Sequence, residues 1–193
     1  MTDKTFEFEP RFALVMANLK TAREVNQVVE NEGEVNIKNF LKFIQNILYN
    51  RLPIIQEWKC EFDSNKRYIS INYYFGDNWK VLKDDYICIY IEMAYGIDML
   101  FDDDPDVGLY VPMTWKHRNK FAEKLKDNLT KSFMNQWKEP DDEDLIWQFV
   151  KIENYAKGDS FDTNGFVNEI EELVRKLVDK KDIIDSAIKQ VKR

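Results

Sequence analysis

A single histidine, His117, limits the nucleophilic chemistry open to this chain. A Ser-His-Asp or Cys-His arrangement would have to use it as the base. It stands in Thr114-Trp115-Lys116-His117-Arg118, where a helical pattern begins among basic residues, so an exposed helix-start residue is expected. Cys60 and Cys88 are too sparse for a disulfide framework or a zinc site. Cys88 falls in the apolar alternation of Tyr86 to Met93, as a small strand residue would. No GxxxxGK[ST] or GxGxxG loop offers a phosphate cradle, and no GxSxG elbow presents a serine.

Carboxylates are the remaining chemistry. Asp102, Asp103, Asp104 and Asp106 surround Pro105, and hard divalent cations favour several such oxygens. Consecutive aspartates point in different directions, however, and Asp-Pro favours a turn, so a solvated turn between strands is expected. Ser160 to Glu171 brushes the calcium loop of an EF-hand. Counted from Ser160, Asp162 takes the third position, Asn164 the fifth, Gly165 the sixth and Glu171 the twelfth. Ser160 stands where an aspartate belongs, no second copy pairs with it, and Asp162-Thr163-Asn164-Gly165 is equally a turn and helix cap. Asp162, Asn164 and Glu171 are thus the candidate metal ligands, while the expected cofactor state is none.

The elements that must position these groups fall into three blocks of one domain, 1–193. Residues 11–52 carry helical spacing: Leu14, Val15, Leu19, Ala22, Val25, Val28 and Val29, a stop at Asn31-Glu32-Gly33, then Phe40 to Leu48 behind a cap at Asn36. Over 66–113 the period changes to two. Ile69, Ile71, Tyr73 and Phe75 share one face of a strand, opposite Tyr68, Ser70, Asn72 and Tyr74. Gly76-Asp77-Asn78 predicts a turn and Trp79–Leu82 a short strand pairing back. Ile87, Ile89, Ile91 and Met93 form the next apolar face, continued toward Gly96–Phe101, and Gly108–Val111 is a further strand. The block 115–191 predicts helices: a Phe121, Leu125, Leu129, Phe133, Trp137 stripe, a helix starting at Asp141–Asp144, and an amphipathic stretch from Phe166 to Val191. The fold class is α+β, an antiparallel meander of four to five strands covered by N-terminal and C-terminal helices.

The order of an apolar helix, Trp58, alternating Tyr68–Tyr74, the strands Ile87–Met93 and Gly108–Val111, the Trp137 region and a last amphipathic helix resembles the C-terminal part of bacterial and phage proteins of the PD-(D/E)XK nuclease superfamily. The resemblance covers about two thirds of the chain by pattern. That family binds its catalytic metal through an aspartate and a Glu/Asp-x-Lys on the next strand. Here Glu92 is followed by Met93 and Ala94, with no lysine in register. The resemblance therefore implies a nuclease-derived accessory fold without the active site.

Across 193 residues, 28 Lys+Arg stand against 35 Asp+Glu, a net charge of -7. Phosphate contacts supply most nucleic-acid affinity, so this balance disfavours direct nucleic-acid binding and favours a partner with a basic surface. Tyr68, Tyr74, Tyr86 and Tyr90 fall on the polar strand faces, near Lys66, Arg67, Lys80 and Lys83. The expected contact set is Tyr74, Trp79, Tyr86, Tyr90, Asp102, Asp103 and Asp104. The expected function is a non-enzymatic protein-binding module, concretely a phage or mobile-element inhibitor of a nucleic-acid-handling enzyme. The alternative is a metal-dependent nuclease-like domain using Asp102, Asp104 and Glu92, or a nuclease-derived nucleic-acid-binding domain. Met1 to Arg11 is charged without an apolar run, and no stretch approaches a membrane span, so a cytoplasmic location without membrane contact is expected.

Overall fold

A computed structural model of the chain describes residues 16–52, 57–64, 68–94, 104–138, 140, 144–157 and 160–192. Its centre is a five-stranded sheet. Strand β1 spans Lys59–Ser64 and β2 Tyr68–Tyr74; after a small hairpin of β3 (Lys80–Leu82) and β4 (Asp85–Tyr86) come β5 (Cys88–Ala94), β6 (Asp106–Tyr110) and β7 (Asp144–Phe149). The spatial order is β1-β2-β5-β6-β7, with every neighbour antiparallel. The period-two pattern sets the faces: Ile69, Ile71, Tyr73, Ile89, Ile91, Met93, Val107 and Leu109 are buried on one side. Each such aliphatic side chain contributes about 1.5–3 kcal/mol on burial, which holds the strand register, since a one-residue slip would reverse every side chain.

Helices cover that apolar face. α1 (Leu19–Val28) passes through a π-helical turn at Val29–Gly33 into α2 (Glu34–Arg51), whose Ile37, Leu41, Ile44 and Leu48 are buried at spacings of four, three and four. Between β6 and β7 lie α3 (Arg118–Asn128) and the single turn α4 (Lys131–Met134). After β7 a two-residue hairpin, β8 (Ala156–Lys157) with β9 (Ser160–Phe161), leads to α5 (Thr163–Val178) and α6 (Lys181–Lys192). α5 packs on β5 and β6 through Phe166, Val167, Ile170, Leu173, Val174 and Leu177, α2 packs on α5, and α6 on α3. The fold is α+β, as expected.

Several boundaries differ from the sequence pattern, for identifiable reasons. No stop falls at Asn31-Glu32-Gly33; the extra residue is absorbed by the π turn, and Asn36 donates its side-chain amide to the Glu32 carbonyl instead of capping a new helix. Gly76, at φ 51, opens a 3-10 turn over Gly76–Trp79, so the strand begins at Lys80 and pairs with β4, not back onto β2. The Phe121-to-Trp137 stripe is buried throughout, yet it is split between two short helices, with Leu129 and Trp137 just beyond their ends. Leu129 is extended, and the Thr130 hydroxyl accepts the Phe133 N–H at 3.2 Å as a fresh cap. Asp144 begins a strand, not a helix: Leu145 and Ile146 are buried against the sheet, and β6 gains its second partner there. The block 115–191 is therefore not wholly helical. β1 lies outside the expected sheet block of 66–113. The expected continuation over Gly96–Phe101 lies outside the described residues.

Candidate functional site

The other sheet face is open and polar. Alternation sends Glu61 and Asp63 of β1, Ser70, Asn72 and Tyr74 of β2, Cys88, Tyr90 and Glu92 of β5, and Asp106 and Tyr110 of β6 into one cavity of about 340 Å³. Asp84, Asp85 and Tyr86 reach it from the β3–β4 hairpin. A register shift after Leu109 pairs Tyr110 with Asp144 instead of Leu145, which turns the Asp144 carboxylate to the same face. The cavity is lined by seven carboxylates and four tyrosines, and by no lysine, arginine or histidine among the described residues.

Hydrogen bonds order its walls. Tyr90 donates to Asp106 Oδ2 at 2.8 Å, and Tyr74 donates to Glu61 Oε1 at 2.5 Å. The Tyr74 and Tyr86 rings lie 4.2 Å apart, with Lys59 Nζ 5.9 Å from the first and Lys80 Nζ 5.5 Å from the second. Those ammonium groups show that the outer ring faces attract cations. Burial, followed by the neighbouring charges of Glu92 and Asp144, lifts the Asp106 carboxyl to about 7, against the opposing pull of the Tyr90 hydroxyl. Burial likewise raises the Tyr90 phenol and the Cys88 thiol, which stays protonated and donates to Asn72 Oδ1 at 3.8 Å. The arrangement thus presents hydrogen-bond acceptors and concentrated negative charge, the chemistry that takes up a guanidinium or ammonium group.

Of the expected contact residues, Tyr74, Tyr86 and Tyr90 converge in this cavity. Trp79 does not: it is fully buried against Trp58, with ring centroids 5.1 Å apart, and its Nε1–H donates to Asp185 at 2.7 Å. Turning out of β2 at Gly76 carries the indole into the core. Asp102 and Asp103 lie outside the described residues. Asp104 accepts the Ile152 N–H at 3.0 Å and lines an adjoining cavity of about 220 Å³ with Glu92, Asp106, Asp144 and Trp147. Glu92 and Asp104 do meet there, but no lysine joins them, and no group of three or more acidic, histidine or cysteine side chains among the described residues is placed to hold a metal ion.

The candidate ligands of the calcium-loop reading have other partners. Asp162 is the N-cap of α5, its Oδ1 accepting the Gly165 N–H at 3.0 Å while Oδ2 pairs with Lys157 at 2.6 Å. Helix from Thr163 onward separates Asp162 from Glu171 by about 13 Å along the axis. Glu171 pairs instead with Arg51 and Arg175, and Asn168 accepts from Arg51 at 2.6 Å. His117 sits at the start of α3, edge-on to Trp115 at 5.8 Å.

Sequence reasoning missed Glu61, Asp63, Asp84, Asp85 and Asp144 as site residues and assigned Asp106 to a turn. The alternation Glu61-Phe62-Asp63 was the available signal for β1. Fold and site together define an α+β protein whose sheet is covered by helices on one face and carries an acidic, tyrosine-walled cavity on the other. No protein-family model, curated protein or solved structure matches the chain. No helix among the described residues is long and apolar enough to cross a membrane.

Proposed function

We propose that this chain is a non-enzymatic protein-binding module whose acidic sheet face receives basic side chains of a partner protein. The observation that carries the reading is the cavity wall: seven carboxylates with no cationic side chain lining it among the described residues. Such a concentration costs self-repulsion in the free protein and is relieved when positive charge enters. Tyr74, Tyr86, Tyr90 and Tyr110 add flat, rigid contact area of the kind that interfaces favour. A basic groove built for phosphates fits this face, so the concrete form is an inhibitor that occupies the groove of a nucleic-acid-handling enzyme.

The test is affinity capture from host lysate with the native chain and with a Glu61→Gln, Glu92→Gln, Asp144→Asn variant. A protein retained only by the native chain, and released by duplex DNA or RNA, supports the inhibitor reading. If every captured protein binds both chains equally, the acidic face is not the receptor.

A further inference from the structure

Strand β1 ends the sheet order, and no described strand pairs with its outer edge. Lys59 through Asp63 are all exposed, and the six residues pair with β2 in unbroken register, without a bulge. Among the described residues the edge carries no proline, no bulge and no covering helix; its charges, Lys59 held toward Asp77 at 3.5 Å, Glu61 and Asp63, oppose an acidic or identical strand but not a basic one. Its two faces differ in chemistry. Glu61 and Asp63 face the acidic cavity, whereas Phe62 lies on the helix side against Tyr49, ring centroids 5.0 Å apart. Phe62 and Tyr49 remain 39% and 54% exposed, an apolar step beside the edge.

We propose that the β1 edge accepts an added strand from the partner, an extended segment in which basic and apolar side chains alternate. The proposal rests on the reading of the acidic face as a receptor for cations, and specifies how the partner docks. A strand added about 4.8 Å away continues the pleat, so its alternate residues meet Glu61 and Asp63 on one side and Phe62 on the other. Opposite charges across such a pair stabilise it and like charges oppose it. That rule disfavours a second copy of this chain, because self-pairing of β1 would crowd Glu61 and Asp63 against their own kind. It disfavours nucleic acid for the same reason.

The probes are a blocked Arg-Val alternating decapeptide, a peptide of equal composition with its arginines in one block, and the alternating peptide N-methylated at every second residue in each of the two phases. Fluorescence anisotropy measures affinity, and amide hydrogen exchange reads residues 59–64. The alternating peptide is expected to bind about tenfold more tightly than the block peptide, to slow exchange in β1, and to lose binding when methylated in one phase. Equal binding of both peptides, or binding with unchanged β1 exchange, overturns strand addition. If that binding still falls in the Glu92→Gln, Asp144→Asn variant, the acidic-face reading survives alone. Failure of both peptides to bind overturns both.

Discussion

Tyr90 and Gly108 are cross-strand partners on β5 and β6, and the tyrosine occupies the space that a side chain at Gly108 would need. A Cβ there would lie 2.7 Å from both Cε1 and the hydroxyl of Tyr90, and 2.8 Å from the Ile146 carbonyl. The bare backbone at Gly108 lets the ring cross β6 and bring its hydroxyl to Asp106, two residues away. Gly108→Ala is therefore expected to destabilise the protein by about 1–3 kcal/mol, the usual range for overpacking. Urea unfolding checks this, and Tyr90→Ala in the same chain should recover part of the loss. Full stability in the single variant would show that the close approach is not a constraint.

Asp106 supplies a pH prediction. Its carboxyl ordinarily titrates near 3.8 but near 7 in the folded protein, so the fold favours the neutral form. Between these values the native state holds a proton that the unfolded chain has released. Stability from this group is complete below 3.8 and is lost as pH rises to about 7. Asp106→Asn removes that loss. At pH 8 the variant is expected to be more stable by on the order of 2–4 kcal/mol, with little gain at pH 4. Thermal melts across that range test it, and a variant that is less stable at pH 8 would contradict it.

Ligand binding should carry the opposite signature. A cation entering beside Asp106, Glu92 and Asp144 favours ionised Asp106, so its uptake releases a proton near neutrality. Affinity of an arginine-rich peptide is expected to rise between pH 6 and pH 8, and the rise should flatten in Asp106→Asn. Calorimetry in buffers of different ionisation enthalpy would detect the released proton. A pH-independent affinity with no proton release argues against contact at this end of the cavity.

Trp79 tests the core rather than the surface. Its Nε1–H bonds Asp185, whose other oxygen accepts Lys181 Nζ at 3.0 Å, and the Lys181 ammonium lies 3.6 Å from the Phe75 ring centroid. Trp79→Ala is expected to cost about 3–5 kcal/mol. Trp79→Phe, which keeps much of the ring but orphans one acceptor, should cost about 1–3 kcal/mol. Denaturation midpoints followed by circular dichroism distinguish the two, and a near-neutral Trp79→Ala would place the indole at the surface.

At the start of α5, Asp162→Ala is expected to lower the melting temperature, because it removes the N-cap that accepts the Gly165 N–H. Its melting temperature should fall equally with and without calcium. A calcium-dependent gain in the native chain that disappears in the variant would restore the calcium-loop reading.

Periodicity made the apolar half of this protein legible. Ile69, Ile71, Ile89 and Ile91 are buried as their alternation requires, and Phe166 to Val191 forms the amphipathic helices that their spacing requires. Those patterns are local, because side chains repeat every two residues along a strand and every 3.6 along a helix. The same alternation placed Tyr74 and Tyr90 on the opposite face. Glu61 and Asp63 also alternate with Phe62, a short signal outside the expected sheet block, whereas no alternation surrounds Asp144. Asp144 reads as a helix start by charge, and only pairing with β6 makes it a strand residue, with the register shift after Leu109 turning it inward. Tertiary structure alone decided that carboxylates from four strands and a hairpin share one cavity, since cross-strand neighbours are set by register and not by proximity in sequence. It also decided that Trp79 is core and that Asp162 and Glu171 are apart. What the sequence determined by itself was which side of each strand is dry; which charges meet on the wet side required the folded sheet.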